Sequence, residues 1–243
     1  MEEAGSCENE KSVDYDAAVS SARLDDGALA ELDKAGVGFQ FDTDLLTATP
    51  AKDMRLKMEQ TIGLLEAVDH TEFLKKQSWY ARFTGADVEA RLRFELSSQD
   101  VVTKVTELRL AAENGRRIYR LLESAKSELL LEQTRLETVI ADAKALLQRD
   151  EGADEFVRAR YERRLANIVA INVSNVSTIE QIELSKAILK TLIDRFTDVD
   201  TTLFPLWQRN VLALAQAAPG ERARAGSDVA ASKADLIKYL KQG

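Results

Sequence analysis

Proline is missing between Pro50 and Pro205, a run of about 150 residues. A proline inside a helix removes a backbone donor and clashes with the preceding turn at a cost of roughly 3 kcal/mol, so a proline-free stretch rich in Leu, Ala, Glu, Lys and Arg is permissive for helix throughout. Aromatic residues are scarce, at 6% against 30% charged, a balance that suits helical bundles and leaves little material for sheets. Cys7 is the single cysteine. No intramolecular disulfide can form, and such usage points to a reducing compartment, the cytoplasm. There is no basic start followed by an apolar run and no uninterrupted apolar stretch near 18 residues, so neither a secretion signal nor a membrane span is expected.

The usual apparatus of chemistry is also lacking. His70 is the single histidine, and Asp42 and Asp44 come without the further ligands and glycine of a calcium loop. No glycine-rich phosphate loop, nucleophile elbow or zinc-binding histidine pair occurs. The expectation is a protein without catalytic residues, metal or cofactor, acting by non-covalent means.

Charge is unevenly placed. Of a net charge of -8, the first 50 residues hold twelve acids against Lys11, Arg23 and Lys34, leaving the remainder close to neutral. Residues 1–48 read as an acidic, largely disordered leader, and its charge disfavours nucleic acid and anionic membranes there.

Beyond the leader the helical signals are strong. Thr49-Pro50 reads as a cap followed by proline at the first helical position, with Met54, Met58, Ile62 and Leu65 on one face. A short helix is expected around residues 73–83, and Thr84 can cap the next. From there, steps of four and three run through Val101, Val105, Leu108, Ala112, Gly115, Tyr119, Leu122, Lys126, Leu129, Gln133, Leu136, Ile140, Ala143 and Leu147, a coiled-coil-like seam. Asn114-Gly115 marks an expected kink, since glycine costs about 1 kcal/mol relative to alanine in a helix.

Asp150-Glu151-Gly152 interrupts the pattern and reads as a reversal. The stepping then resumes at Tyr161, Leu165, Ile168, Asn172, Asn175, Ile179, Ile182, Lys186, Leu189, Ile193, Phe196, Asp200, Leu203 and Trp207. Residues 168–177 are rich in β-branched side chains, with Val169, Ile171 and Val173 alternating as in a strand. The seam stays in phase across them, and a lone strand would have no partner, so helix is the reading. Pro205 is where the helical pattern is expected to break or end, Pro219-Gly220 closes the hairpin, and Ser227-Asp228 is placed to cap a last helix carrying Val229, Leu236, Ile237 and Leu240.

Together these signals predict an all-α fold: an elongated antiparallel helical bundle built on a coiled-coil-like hairpin of long helices, with short flanking helices. Residues 49–216 form the helical body, with its turn near 150–153, and residues 217–243 a linker and C-terminal helix.

Residues 178–210 carry a more specific signal. Gln181-Ile182 is followed by Leu184, by Leu192-Ile193-Asp194-Arg195-Phe196, and at fixed distance by Pro205-Leu206-Trp207-Gln208. This pattern resembles the signature of the TelA/KlaA toxic-anion (tellurite) resistance family, mainly over residues 160–215, and the helix from Val101 to Leu147 is similar to the helical region preceding it. The sequence departs from the family at Glu180, where proline is common, at Glu183 in place of arginine, at Ala187-Ile188-Leu189 in place of an asparagine-rich run, and at Gln208 in place of lysine. The resemblance implies a cytoplasmic, non-enzymatic helical protein of tellurite tolerance and stress response. Its mode of action would be protein partners or self-association. A scaffold unrelated to oxyanions and a direct oxyanion binder are the alternatives.

The binder reading needs a basic cluster, and Arg158, Arg160, Arg163 and Arg164, with Arg116, Arg117 and Arg120 on the preceding helix, supply one. Guanidinium groups suit oxyanions through paired hydrogen bonds, although Asp154, Glu155, Glu162 and Glu123 are near enough in sequence to make ordinary surface pairs of them. Asn172 and Asn175 on the seam either set helix register or face solvent. Trp207 is in phase with the core stripe and is expected inside, with partner docking as the competing role.

Overall fold

The computed structural model describes residues 23–38, 41–47, 50–71, 86–150, 152, 154–218 and 220–242. All the regular structure among them is helical. In chain order the helices are α1 (Asp26–Ala35), α2 (Asp44–Thr47), α3 (Pro50–Ala67), α4 (Ala86–Arg149), α5 (Glu155–Asp198), a π-helical turn (Val199–Leu203), α6 (Phe204–Gln216) and α7 (Arg222–Lys241). The expected helix at 73–83 and the caps Thr49 and Thr84 lie outside the described residues, as do residues 1–22 of the leader.

The chain divides into two compact units, and the long helices belong to both. The first unit takes residues up to Asp42 together with 124–182, and the second takes 43–123 and 183–243. In the first, α1 lies on the distal parts of α4 and α5. Its core gathers Leu24, Leu29 and Leu32 with Leu136, Ala143, Tyr161, Leu165 and Ile168. In the second, α3, α6 and α7 cover the proximal parts of α4 and α5 around a larger core that includes Met54, Leu65, Phe94, Leu108, Phe196, Phe204, Trp207 and Leu236.

The seam is found where the stepping placed it. Val101, Val105, Leu108, Ala112, Leu122, Leu129, Leu136 and Ala143 on α4, and Tyr161, Leu165, Ile168, Ile182, Leu189 and Phe196 on α5, are all buried. The β-branched run at 168–177 is helical. Strong helical segments on both sides hold it in phase, and the cooperativity of a long helix absorbs the modest propensity cost of valine and isoleucine.

Two expectations are corrected, for the leader and for the start of α7, while Gly115 and Pro205 take specific roles. Residues 26–35 and 44–47, read as leader, are helical. Asp25 caps α1 by accepting from the Ala28 amide at 2.9 Å, and Leu29 and Leu32 are buried, so a short amphipathic helix stands where acidity suggested none. At Gly115, α4 continues without interruption. A Cβ there would meet Met54 Sδ at 3.2 Å and Ile193 Cδ1 at 3.7 Å, so the glycine serves the close approach of α3 and α5. At Pro205 the regular α-helix is broken as expected, since α5 ends at Asp198, the π turn intervenes and α6 begins at Phe204. Finally, α7 starts at Arg222, ahead of Ser227-Asp228, with no side-chain cap. Gly226 and Val229 are buried along it, and that packing extends the helix to its earlier start.

Candidate functional site

In the second unit the Pro-Leu-Trp part of the signature is built around the π turn. Phe204 donates its amide to the carbonyl of Val199, five residues back. Widening the helix by one residue makes room for the ring of Pro205, which has no amide hydrogen to donate. Next to this turn, Arg109 of α4 holds the Asp200 carboxylate with both arms of its guanidinium, Nη2 to Oδ1 at 2.5 Å and Nε to Oδ2 at 3.3 Å. The carboxylate bond holds the Arg109 pKa above the ordinary arginine value, more than offsetting partial burial. Two turns further along α4, Arg116 donates to Thr197 Oγ1 at 2.9 Å.

The same segment anchors α7. Tyr239 donates its hydroxyl to Asp198, and that bond raises the phenol above its usual pKa. The Asn210 amide donates to the Asp228 carbonyl and to Ser232 Oγ, both at 3.1 Å. At the far side, Lys233 of α7 closes the end of α3, donating to the carbonyls of Val68 at 2.8 Å and Glu66 at 3.4 Å. A cation at a helix C-terminus is stabilised by the free carbonyls there. Burial nevertheless depresses the Lys233 ammonium pKa, with Asp69 and Glu66 opposing that effect only partly.

Trp207 is fully buried. Its ring stacks on Phe204 with centroids 5.8 Å apart and an interplanar angle of 24°, and its indole Nε1 has no acceptor among the described protein atoms. Among the other signature residues Ile182 is buried, while Gln181, Leu184, Pro205 and Leu206 are exposed. The signature thus has an inner part that packs and an outer part that faces solvent.

A second polar cluster, with a buried lysine and two exposed carboxylates, lies between α4 and α5 in this unit. Lys186, on the seam, is bonded to Glu183 at 3.1 Å and to Glu123, with its ammonium 5.5 Å from the centre of the Tyr119 ring. Burial alone would lower the lysine pKa, but the two carboxylates outweigh it and hold the pKa above its ordinary value. The cluster keeps a charge on the seam and ties α4 to α5 at one register.

The arginines proposed for anion contact sit in the first unit, apart from Arg116, Arg117 and Arg120 of the second. Arg158 pairs with Glu162 at 3.2 Å and donates to the Leu147 carbonyl at 3.4 Å. Arg160 reaches Asp26 at 3.5 Å and stands over the Phe156 ring, and Arg164 pairs with Asp33. Two of the carboxylates therefore come from α1, so these guanidiniums dock that helix. Arg163 is exposed. Asn172 and Asn175 are partly buried, and the Asn172 Oδ1 and Asn175 Nδ2 atoms are enclosed without a hydrogen-bond partner among the described protein atoms.

Sequence reasoning did not find Arg109, Thr197, Asp198, Asn210, Lys233 or Tyr239. Asp200 was visible as an acid at a seam position. That was the available signal that a cation from α4 must meet it.

No family model matches the chain, and no solved structure matches it. Over 167 residues it is 25% identical to Protein KlaA of Escherichia coli, a stretch covering 65% of this chain and 65% of KlaA. The match spans slightly less than two thirds of KlaA's length, and the inner part of the signature, Ile182 and Trp207, lies in the folded core. No helix among the described residues is long and apolar enough to cross a membrane.

Proposed function

We propose that this protein contributes to tolerance of tellurite or related toxic oxyanions, without covalent chemistry, by binding protein partners or copies of itself in the cytoplasm. The observation that carries the reading is the similarity to KlaA over 167 residues, joined to the Gln-Ile and Pro-Leu-Trp signature. An interaction mode is supported by what the outer faces present. Leu184 and Leu206 of the signature are exposed, as are Leu130, Leu131 and Val173 elsewhere on α4 and α5, and apolar surface left in water favours association. A direct oxyanion site at Arg158, Arg160 and Arg164 has less support, because each already has a carboxylate partner.

The test is growth of a tellurite-sensitive bacterium carrying this chain, across a tellurite series, beside a vector control and a Leu184→Glu, Leu206→Glu variant whose fold is checked by circular dichroism. Protection by the intact chain and loss in the variant are expected. Equal growth of chain and vector would remove the tolerance reading. Protection that survives in the variant would move the interaction surface elsewhere. Isothermal titration of tellurite into the purified protein should give no saturable heat, and stoichiometric binding lost in Arg160→Ala would instead favour the direct binder.

A further inference from the structure

Within the second unit, α3, α5 and the end of α7 border a cavity of about 480 Å³, inside the range of roughly 300–1,000 Å³ typical of small-molecule sites. Its walls are divided by chemistry. Met58, Ile188 and Leu192 supply apolar surface, while Arg55, Arg195 and Lys241 bring three cations against the single carboxylate of Glu59 among the lining residues. Two of the cations have modest engagements: Lys241 Nζ meets Glu66 at 2.7 Å, and Arg195 donates to the Gln242 carbonyl at 3.4 Å. Arg55 makes no ion pair among the described residues. The cavity therefore carries positive charge beside hydrocarbon.

The space does not stop there. An adjoining cavity of about 520 Å³ shares Arg55, Glu59 and Ile188 and continues over Leu46, Ile118 and Leu189. A ligand seated at the arginines would have a predominantly apolar path leading away from them. Guanidinium groups bind planar carboxylates by paired, charge-assisted hydrogen bonds, and an alkyl chain gains by leaving water for the apolar wall.

We propose that this double cavity binds an amphipathic carboxylate, its head group at Arg55 and Arg195 and its hydrocarbon tail along Met58, Ile188 and Leu189. The inference stands independently of the tolerance reading. The full chain is titrated calorimetrically with decanoate below its micellar concentration, with octanoate, acetate and decyltrimethylammonium as comparisons. Decanoate should bind saturably, and octanoate about tenfold or more weaker, as about fourfold per methylene requires. Acetate and the cationic amphiphile should give no saturable heat. Arg55→Gln with Arg195→Gln should weaken decanoate at least tenfold, while Arg163→Gln, a matched charge change in the other unit, should leave it unaltered. Because Arg55 is exposed, the single Arg55→Gln variant keeps the test open should the double variant fail to fold, and a several-fold loss is then expected. Absence of saturable decanoate binding, equal binding of decyltrimethylammonium, or indifference to the Arg55 substitution would each overturn the proposal.

Discussion

One helix pair builds both units, yet the two cores are unlike. In the first, α4 and α5 are joined by α1 alone among the described helices, and the core is aliphatic apart from Tyr161. In the second, α3, α6 and α7 add to the pair, and Phe94, Phe196, Phe204 and Trp207 fill the centre. The seam stepping is the same in both. What separates them is how much of each helix is covered, and the sequence of α5 follows suit. From Leu165 to Ile179, in the first unit, it carries no charge for fifteen residues, with Ile171, Val173 and Val176 exposed and two enclosed asparagine atoms lacking partners. In the second unit its seam is mostly filled and Lys186, Arg195 and Thr197 are hydrogen-bonded, while that unit encloses Ser98 Oγ, His70 Nδ1 and Trp207 Nε1 without a partner among the described protein atoms. Period alone thus makes a hairpin, while flanking helices supply the fuller core.

The comparison can be broken most forcefully at Trp207. Trp207→Ala should destabilise the second unit by about 3–5 kcal/mol, the usual range for deleting a buried aromatic. Trp207→Phe should cost less than about 1.5 kcal/mol, because it keeps ring volume and removes a donor that has no acceptor. Chemical denaturation followed by circular dichroism measures both. An Ala cost below that of Phe would show that the second core is not centred where the structure places it.

Leu32→Ala on α1 is the matching cut in the first unit. The expected loss is about 2–3 kcal/mol, the lower part of the range for buried leucine, since a thinner core can relax further. Amide exchange should accelerate in α1 and in residues 124–182 and stay slow in α6. Acceleration spread evenly over both units would merge them into one cooperative block.

Asn172→Leu should act in the opposite direction, raising stability by about 1 kcal/mol by replacing a poorly satisfied polar group on the seam. Its cost would be specificity, since a polar seam residue restricts register. The variant should therefore be more stable to denaturant and more prone to associate, as read by light scattering. A destabilised variant would mean that Asn172 makes a bond the static contacts do not show.

The smallest expected effect is a pH dependence confined to the second unit. Burial, then the neighbouring Lys233 charge, lowers the His70 pKa, with Asp69 opposing. The unfolded chain therefore binds more protons than the folded one once pH falls through the ordinary histidine value of about 6.5. Stability from this group is present above that value and is lost on acidification toward the depressed folded pKa. His70→Gln should flatten the slope of stability against pH in that window. An unchanged slope would assign it to other groups.

Much of this was legible beforehand. The two seams came from counting steps of three and four, and Pro205 with Trp207 pointed to the segment that anchors α7. The alternation at Val169, Ile171 and Val173 was correctly overruled by phase. The omissions share a physical cause. The α1 helix was hidden because its ten residues sit among acids, and only the spacing of Leu24, Ala28, Leu29 and Leu32 marks its face. Arg109, Lys233 and Tyr239 lie on helix flanks, where periodicity assigns polar residues without naming their partners; those partners come from elements distant in sequence. Gly115 was given the meaning that glycine has in an isolated helix, whereas here the neighbours decide it.

The wide turn before Pro205 also bears on how the chain can change over generations. An extra residue in a regular helix would rotate everything downstream by about 100° and can be passed along the helix turn by turn. Here it cannot travel, because the turn has a ring that needs its space on one side and the Arg109–Asp200 clasp on the other. Residues 199–203 therefore behave as a pinned insertion. Lineages of this chain should tolerate lengthening and shortening at its loops while keeping the count from Asp200 to Trp207 constant.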